Sequence, residues 1–129
     1  MRAEDLHEVA ARRADELPGA ELTHPFGPDW DVYKVRGKVF MLQGARGGEV
    51  HVTLKSAPED ARALRESYED ITAGYHMNKK HWITVYAGGS LDEELLRELV
   101  TESYVLVLEG IPRRDRPVDP ARFAHRSAG

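Results

Sequence analysis

Leu6, Val9, Ala10, Arg13 and Leu17 recur at helical spacing until Pro18-Gly19 stops the run, so residues 3–17 are predicted to form an amphipathic helix. The next stretch, T-H-P-F-G-P-D at 23–29, reads as a structured loop, because two prolines and a glycine deny it regular ladder positions. The period then changes to that of strands. Residues 31–35 and 38–42 are rich in valine and aromatics and are separated only by Arg36-Gly37, as in a tight hairpin. A looser turn over 44–48 leads to 49–55, where Val50, Val52 and Leu54 alternate with His51, Thr53 and Lys55. That alternation predicts a half-buried strand with a polar outer face.

Ser56-Ala-Pro-Glu59 and Ser90-Leu-Asp-Glu93 both have the form of a capping box, the first opening a helix over about 57–67 and the second a last helix. Between the two helices come a loop and a strand, Trp82 to Ala87, closed by Gly88-Gly89. From Leu95 the helical period carries on through Leu99, Tyr104 and Leu108 to Gly110-Ile111-Pro112, where a left-handed glycine is expected to end the helix. Val105 to Leu108 would suit a buried strand as well, with a break near Thr101 to Ser103; a continuous helix is the preferred reading.

The order α-β-β-β-α-loop-β-α lacks the long βαβ alternation of a doubly wound sheet. It predicts an α+β, two-layer fold with a mostly antiparallel sheet of four to five strands and helices on one face. The 129 residues suit a single domain over 1–112. Residues 113–129, rich in Arg, Asp, Pro and Ala without periodicity, are expected to form a basic extended or disordered tail.

Composition removes several classes of chemistry. With no cysteine there is no disulfide, thiolate zinc site or cysteine nucleophile. The longest apolar run, Tyr104 to Leu108, is far short of the roughly 20 residues of a membrane span. Arg2, Glu4 and Asp5 at the N-terminus fit neither a secretory signal nor a transit peptide, so a cytoplasmic setting is expected. G-x-S-x-G, H-E-x-x-H and G-x-G-x-x-G are all missing, and Gly37-Lys38 runs into Val39, as a hairpin does and a Walker lysine does not. His76 and His81 stand five apart, off the spacing for two ligands on one helix face, and their loop holds no carboxylate. Glu59, Asp60, Asp92, Glu93 and Glu94 fall in helix first turns, where the helix dipole explains them. No catalytic residue, metal or cofactor is therefore assigned, and the chain is not expected to be an enzyme.

Charge gives the positive signal. The formal net charge is -4, yet A-G-Y-H-M-N-K-K-H-W at 73–82 carries two lysines, two histidines and no acid. Residues 1–30 hold three basic and seven acidic side chains and residues 88–111 one and six, whereas 31–87 hold nine and seven and 112–129 five and two. Polyanions would therefore meet the middle segment and the tail. Lys34 and Arg36 share one strand parity and His51, Thr53 and Lys55 another, so all are placed on the sheet face the helices leave open. Lys38 stands at the hairpin exit and Lys79 and Lys80 at the lip, with Tyr33, Tyr75 and Tyr86 as stacking platforms. The competing reading is a solvated lysine face with Tyr33 and Met77 in the core; Trp82 is assigned to the core outright.

P-F-G-P at 25–28, V-Y-K-V-R-G-K-V-F at 32–40, L-K-S-A-P-E at 54–59, G-Y-H-M-N-K-K-H-W at 74–82 and S-Y-V-L-V at 103–107 together resemble the MmcQ/YjbR family over about residues 2–113. The resemblance implies a frataxin-like or secretion-chaperone-like arrangement and a DNA-binding activity, described for one member as a double-wing motif. It implies Lys34, Lys38, Lys55, His76, Asn78, Lys79, Lys80 and His81 as contact residues, to which the parity argument adds Arg36. The acidic first and last segments depart from the positive balance usual in DNA-binding domains. The resulting expectation is weak, mainly sequence-independent DNA binding by a basic open sheet face and the 74–82 loop, with the two hairpins as wings. The alternative is a binding module for an anionic small molecule or a protein partner, which a deep cavity under 74–82 would favour. A third reading makes H-M-N-K-K-H-W a lock joining the second helix to the last strand.

Overall fold

The computed structural model describes residues 1–75 and 77–126, with side chains at the C-terminal end followed as far as Phe123. Its elements are α1 (Ala3–Asp15), β1 (Ala20–Thr23), β2 (Asp31–Val35), β3 (Lys38–Arg46), β4 (Glu49–Lys55), α2 (Pro58–Ser67), β5 (Ile71–Ala73), β6 (Trp82–Tyr86) and α3 (Glu93–Glu109). The strands form one sheet in the order β1-β2-β3-β4-β6-β5, and every neighbouring pair is antiparallel. The α+β, two-layer reading holds, with six strands where four to five were expected. The two extra strands, β1 and β5, are short edge pieces in which apolar alternation is too brief to register.

One face of the sheet carries α1 and α3. Leu6, Met41, Leu54, Ile83, Leu96 and Leu108 are fully buried there, each contributing about 1.5–3 kcal/mol of apolar burial. Both hairpin turns have two residues, Arg36-Gly37 at φ 50° and 80° and Gly47-Gly48 at φ 56° and 86°, the backbone that matches strand twist. β3 therefore runs on to Arg46 through a segment expected to be a turn. Gly44 belongs to the strand, paired with His51, and Trp30 packs against it so closely that a Cβ at that position would lie 2.6 Å from the ring.

Neither capping box forms. Ala57 occupies the N-cap of α2 without a side-chain bond, while the Ser56 N–H donates to the His81 carbonyl at 2.8 Å. Asp92 caps α3 by accepting from the Leu95 N–H at 2.8 Å. Ser90 is drawn instead to Asp70, which accepts both its N–H (3.0 Å) and its hydroxyl (2.5 Å) and so ties the loop before α3 to the start of β5. α3 is continuous, and Gly110 ends it in the right-handed region at φ -84°. A left-handed glycine is not needed because the Arg116 guanidinium donates to the carbonyls of Ile111 (2.8 Å) and Glu109 (3.2 Å).

That arginine belongs to the expected tail. Over the described residues, 113–126 is neither extended nor disordered. It forms two 3-10 turns, Arg113–Asp115 and Pro120–Arg126, and folds back on α3, with Phe123 edge-on to Tyr104 at 5.9 Å. Isolated apolar residues without a period gave no sign of this docking.

The outer face of the sheet is also covered. His51, Thr53 and Thr84 are buried to 0%, 1% and 0% exposure, so the polar side of β4 does not face solvent. Two loops lie over it, 24–30 and, among the described residues, 74–75 with 77–81. The Thr53 and Thr84 hydroxyls bond each other at 2.9 Å across β4 and β6, and Thr84 also accepts the Tyr75 N–H at 2.7 Å. This cross-strand pair of hydroxyls thus takes loop backbone, at Thr84, in place of water.

Candidate functional site

The covering loops turn the outer face into an apolar cleft bordered by charge. Val32, Leu42 and Trp82 form a small second core with Trp30, Val39 and Met77 packed on it, so Trp82 is core as expected. His51 lies beneath the loops within an aromatic ring set, 5.4 Å from Trp30, 5.5 Å from Tyr75 and 5.8 Å from Tyr86. Above this floor Phe26, Trp30, Val39, Leu42, Tyr75 and Met77 enclose a cleft of about 330 Å³. Phe26 is 66% exposed, an apolar ring left at the mouth of a proline-rich loop. Arg46 stacks over Tyr75, 4.5 Å from its centroid.

The lysines converge at one end of the sheet. Val35 pairs with Lys38 across the first turn, Met41 with Leu54, and Lys55 with Trp82. In an antiparallel sheet these pairs put Lys38, Lys55 and the approach to β6, Lys79 and Lys80, at the same end. Helix α2 starts there too, and its Arg62 and Arg65 line an open depression with Lys79, Lys80 and Glu59. A second depression holds Arg36, Lys38, Arg114 and Asp115. None of Lys34, Lys38, Lys55, Lys79 and Lys80 is ion-paired among the described residues, whereas Arg12, Arg13 and Arg97 of the helical layer are, and Arg62 is paired with Glu66 at 3.4 Å.

The expected contact residues therefore divide. Lys38, Lys79, Lys80 and His81 are exposed and Lys55 is half-buried, all at the basic end; Lys34 is half-buried on the outer face, paired with Val39. Arg36 is a clamp on the C-terminal segment, its Nε donating to the Asp115 carbonyl at 2.7 Å. Asn78 shapes its own loop, Oδ1 accepting the Lys80 N–H at 2.8 Å and its carbonyl the His81 N–H at 3.3 Å. With the Ser56 bond to His81, these contacts support the reading of this segment as a lock. His76 lies outside the described residues.

Tyr33 is no stacking platform: it is buried in the helix-side core, and burial pushes its phenol up to about 12. The open basic face expected from strand parity is overturned, because the parity was right but loops occupy that face. The two hairpin turns lie at opposite ends of β3, since successive turns of a meander alternate ends, so they do not form paired wings on one surface. Sequence reasoning missed Arg62 and Arg65, whose i, i+3 spacing aligns them on one helix face. It also missed the cleft, for which the exposed Phe26 between prolines was the available sign.

No three His, Asp or Glu side chains gather to hold a metal among the described residues; His24 is paired with Asp31 at 2.8 Å. No described helix is long and apolar enough to cross a membrane.

The YjbR family model matches residues 15–106. The uncharacterized protein YbdF of Escherichia coli O157:H7 is 47% identical over 116 residues, 90% of this chain and 95% of that protein. The uncharacterized protein YjbR of Escherichia coli strain K12 is 35% identical over 101 residues, 77% of this chain and 84% of that protein. Among solved structures, a Deinococcus radiodurans protein with a domain described as DUF419 superposes with a TM-score of 0.75 at 36% identity, over 88% of this chain and 83% of that one. A Pseudomonas syringae protein superposes with a TM-score of 0.64 at 28% identity, over 82% and 98%.

Proposed function

The chain belongs to the YjbR family, and from that premise we propose that it is a non-catalytic DNA-binding protein that holds phosphates at the basic end of its sheet. The observation that carries this is the gathering at one end of Lys38, Lys55, Lys79 and Lys80, unpaired among the described residues, beside Arg65 and the Glu66-paired Arg62. Acidic residues crowd instead into α1 and α3, on the other layer, so a molecule of net charge -4 still offers one attractive pole. Lysines, as point charges, suit phosphate contact better than base readout, so binding is weak and nearly indifferent to sequence.

The test is a duplex titration at several salt concentrations. Lys79→Ala with Lys80→Ala is expected to weaken binding alike for unrelated sequences and to flatten the plot of log affinity against log salt by about two. An unchanged slope in the folded double variant would reject this surface. A second reading, a binding module for an anionic small molecule, is favoured by the cleft of about 330 Å³, at the low end of ligand-pocket sizes.

A further inference from the structure

We propose that the cleft between the 24–30 and 74–81 loops seats one unpaired base, so that the nucleic acid this protein prefers is single-stranded. The inference rests on the DNA-binding reading above and specifies its ligand. Two chemistries meet at this place. The walls are rings and thioether: Phe26, Trp30, Tyr75 and Met77, with Val39 and Leu42 as floor. The borders are cationic. Lys34 pairs directly with Val39, Arg46 lies on the Tyr75 ring, and the loop that supplies Tyr75 and Met77 continues into Lys79 and Lys80.

A ligand matching both carries a flat apolar face and anionic charge close together, as a nucleotide does. A base in a duplex cannot enter, since its faces are stacked on its neighbours and its edge is paired. In a single strand the base is free to lie on an aromatic ring while the flanking phosphates run on to the basic end of the sheet, only two residues beyond Met77. The size agrees, because about 330 Å³ suits a small planar group. Phe26, 66% exposed, contributes little to the core, and its ring lines this cleft.

The experiment compares a labelled single strand of thymidines, the duplex it forms with its complement, and thymidine monophosphate as competitor, all at one ionic strength. The single strand is expected to bind about tenfold more tightly than the duplex, the scale of one stacked base. Phe26→Ala, a change at a largely exposed ring that leaves the fold intact, is expected to bring the single strand down to the duplex level. Lys79→Ala with Lys80→Ala is expected to lower both by a similar factor. Equal affinity for strand and duplex, or a strand preference that survives in Phe26→Ala, would overturn the base seat while leaving the DNA-binding reading in place. Competition by the monophosphate as effective as that by the strand would overturn it in favour of a free nucleotide. Absence of salt-dependent binding to either nucleic acid would remove the underlying reading and this inference with it.

Discussion

Tyr104→Ala is expected to lower the stability of this protein by about 3–5 kcal/mol, a large part of the roughly 5–15 kcal/mol available to a domain of this kind. Tyr104 is fully buried in the middle of α3, stands edge-on to Phe40 at 5.4 Å, and donates its hydroxyl to the Pro18 carbonyl. Phe123 of the C-terminal segment rests on its other side. The substitution therefore opens a cavity, leaves the Pro18 carbonyl without its partner and removes the platform on which residues 113–123 dock. Thermal melting should show a fall of roughly 10–20 °C, and amides in that segment should lose exchange protection. A loss under about 1 kcal/mol would mean that the ring is not packed as described.

The same side chain makes a pH prediction. Burial pushes the phenols of Tyr33 and Tyr104 up to about 12 from an ordinary 10.0, because the anion would be desolvated. Their neutral forms are favoured by folding, so this contribution is complete below about pH 10 and is lost as pH rises through about 12. Urea midpoints followed across that window should fall, and Tyr104→Phe should blunt the fall at the cost of the Pro18 hydrogen bond. A wild-type midpoint unchanged across that window would contradict the burial of these two side chains.

Ser103→Ala is the second large effect, on the order of 3 kcal/mol. Regular pairing between β3 and β4 starts at Met41 and Leu54, and a bulge in β3 leaves Phe40 out of register with β2. The polar groups one step beyond, the Phe40 carbonyl and the Lys55 N–H, meet the Ser103 hydroxyl instead, which donates to the first at 2.6 Å and accepts from the second at 2.8 Å. Alanine leaves a buried donor and a buried acceptor unsatisfied, each worth about 1–3 kcal/mol. Because Lys55 belongs to the basic end, the variant should also weaken the duplex binding proposed above. Equilibrium urea unfolding measures the first effect, and a loss below about 0.5 kcal/mol would show that water takes the place of the hydroxyl.

Ser103 also shows where sequence reading failed. Seen along the chain it marked a possible break in the last helix; in the fold it is a polar clip between helix and sheet inside an unbroken α3. Ser56 and Ser90 failed the same way. Each opened a capping box by pattern, but Ser56 is bonded through its backbone to His81 and Ser90 is held by Asp70, partners remote in sequence. A motif four residues long states which bond is available, and a competing partner decides whether it forms.

Local pattern alone was enough for α1, α2 and α3, the Arg36-Gly37 hairpin, the alternation in β4 and the burial of Trp82, because backbone period and turn stereochemistry act over a few residues. It also placed lysines at the ends of β3 and β4 and before β6. What only the tertiary structure decided was the occupant of the outer face. Strand parity says that His51, Thr53 and Lys55 share a side, but not that Thr84 would hold the Tyr75 backbone there or that Trp30 would lie on Gly44. Those contacts join a loop to a strand, beyond the reach of either segment's own period. They turned an expected open basic face into an aromatic cleft and left the charge at one end of the sheet, since buried hydroxyls find partners in loop backbone whereas ammonium groups must stay in water.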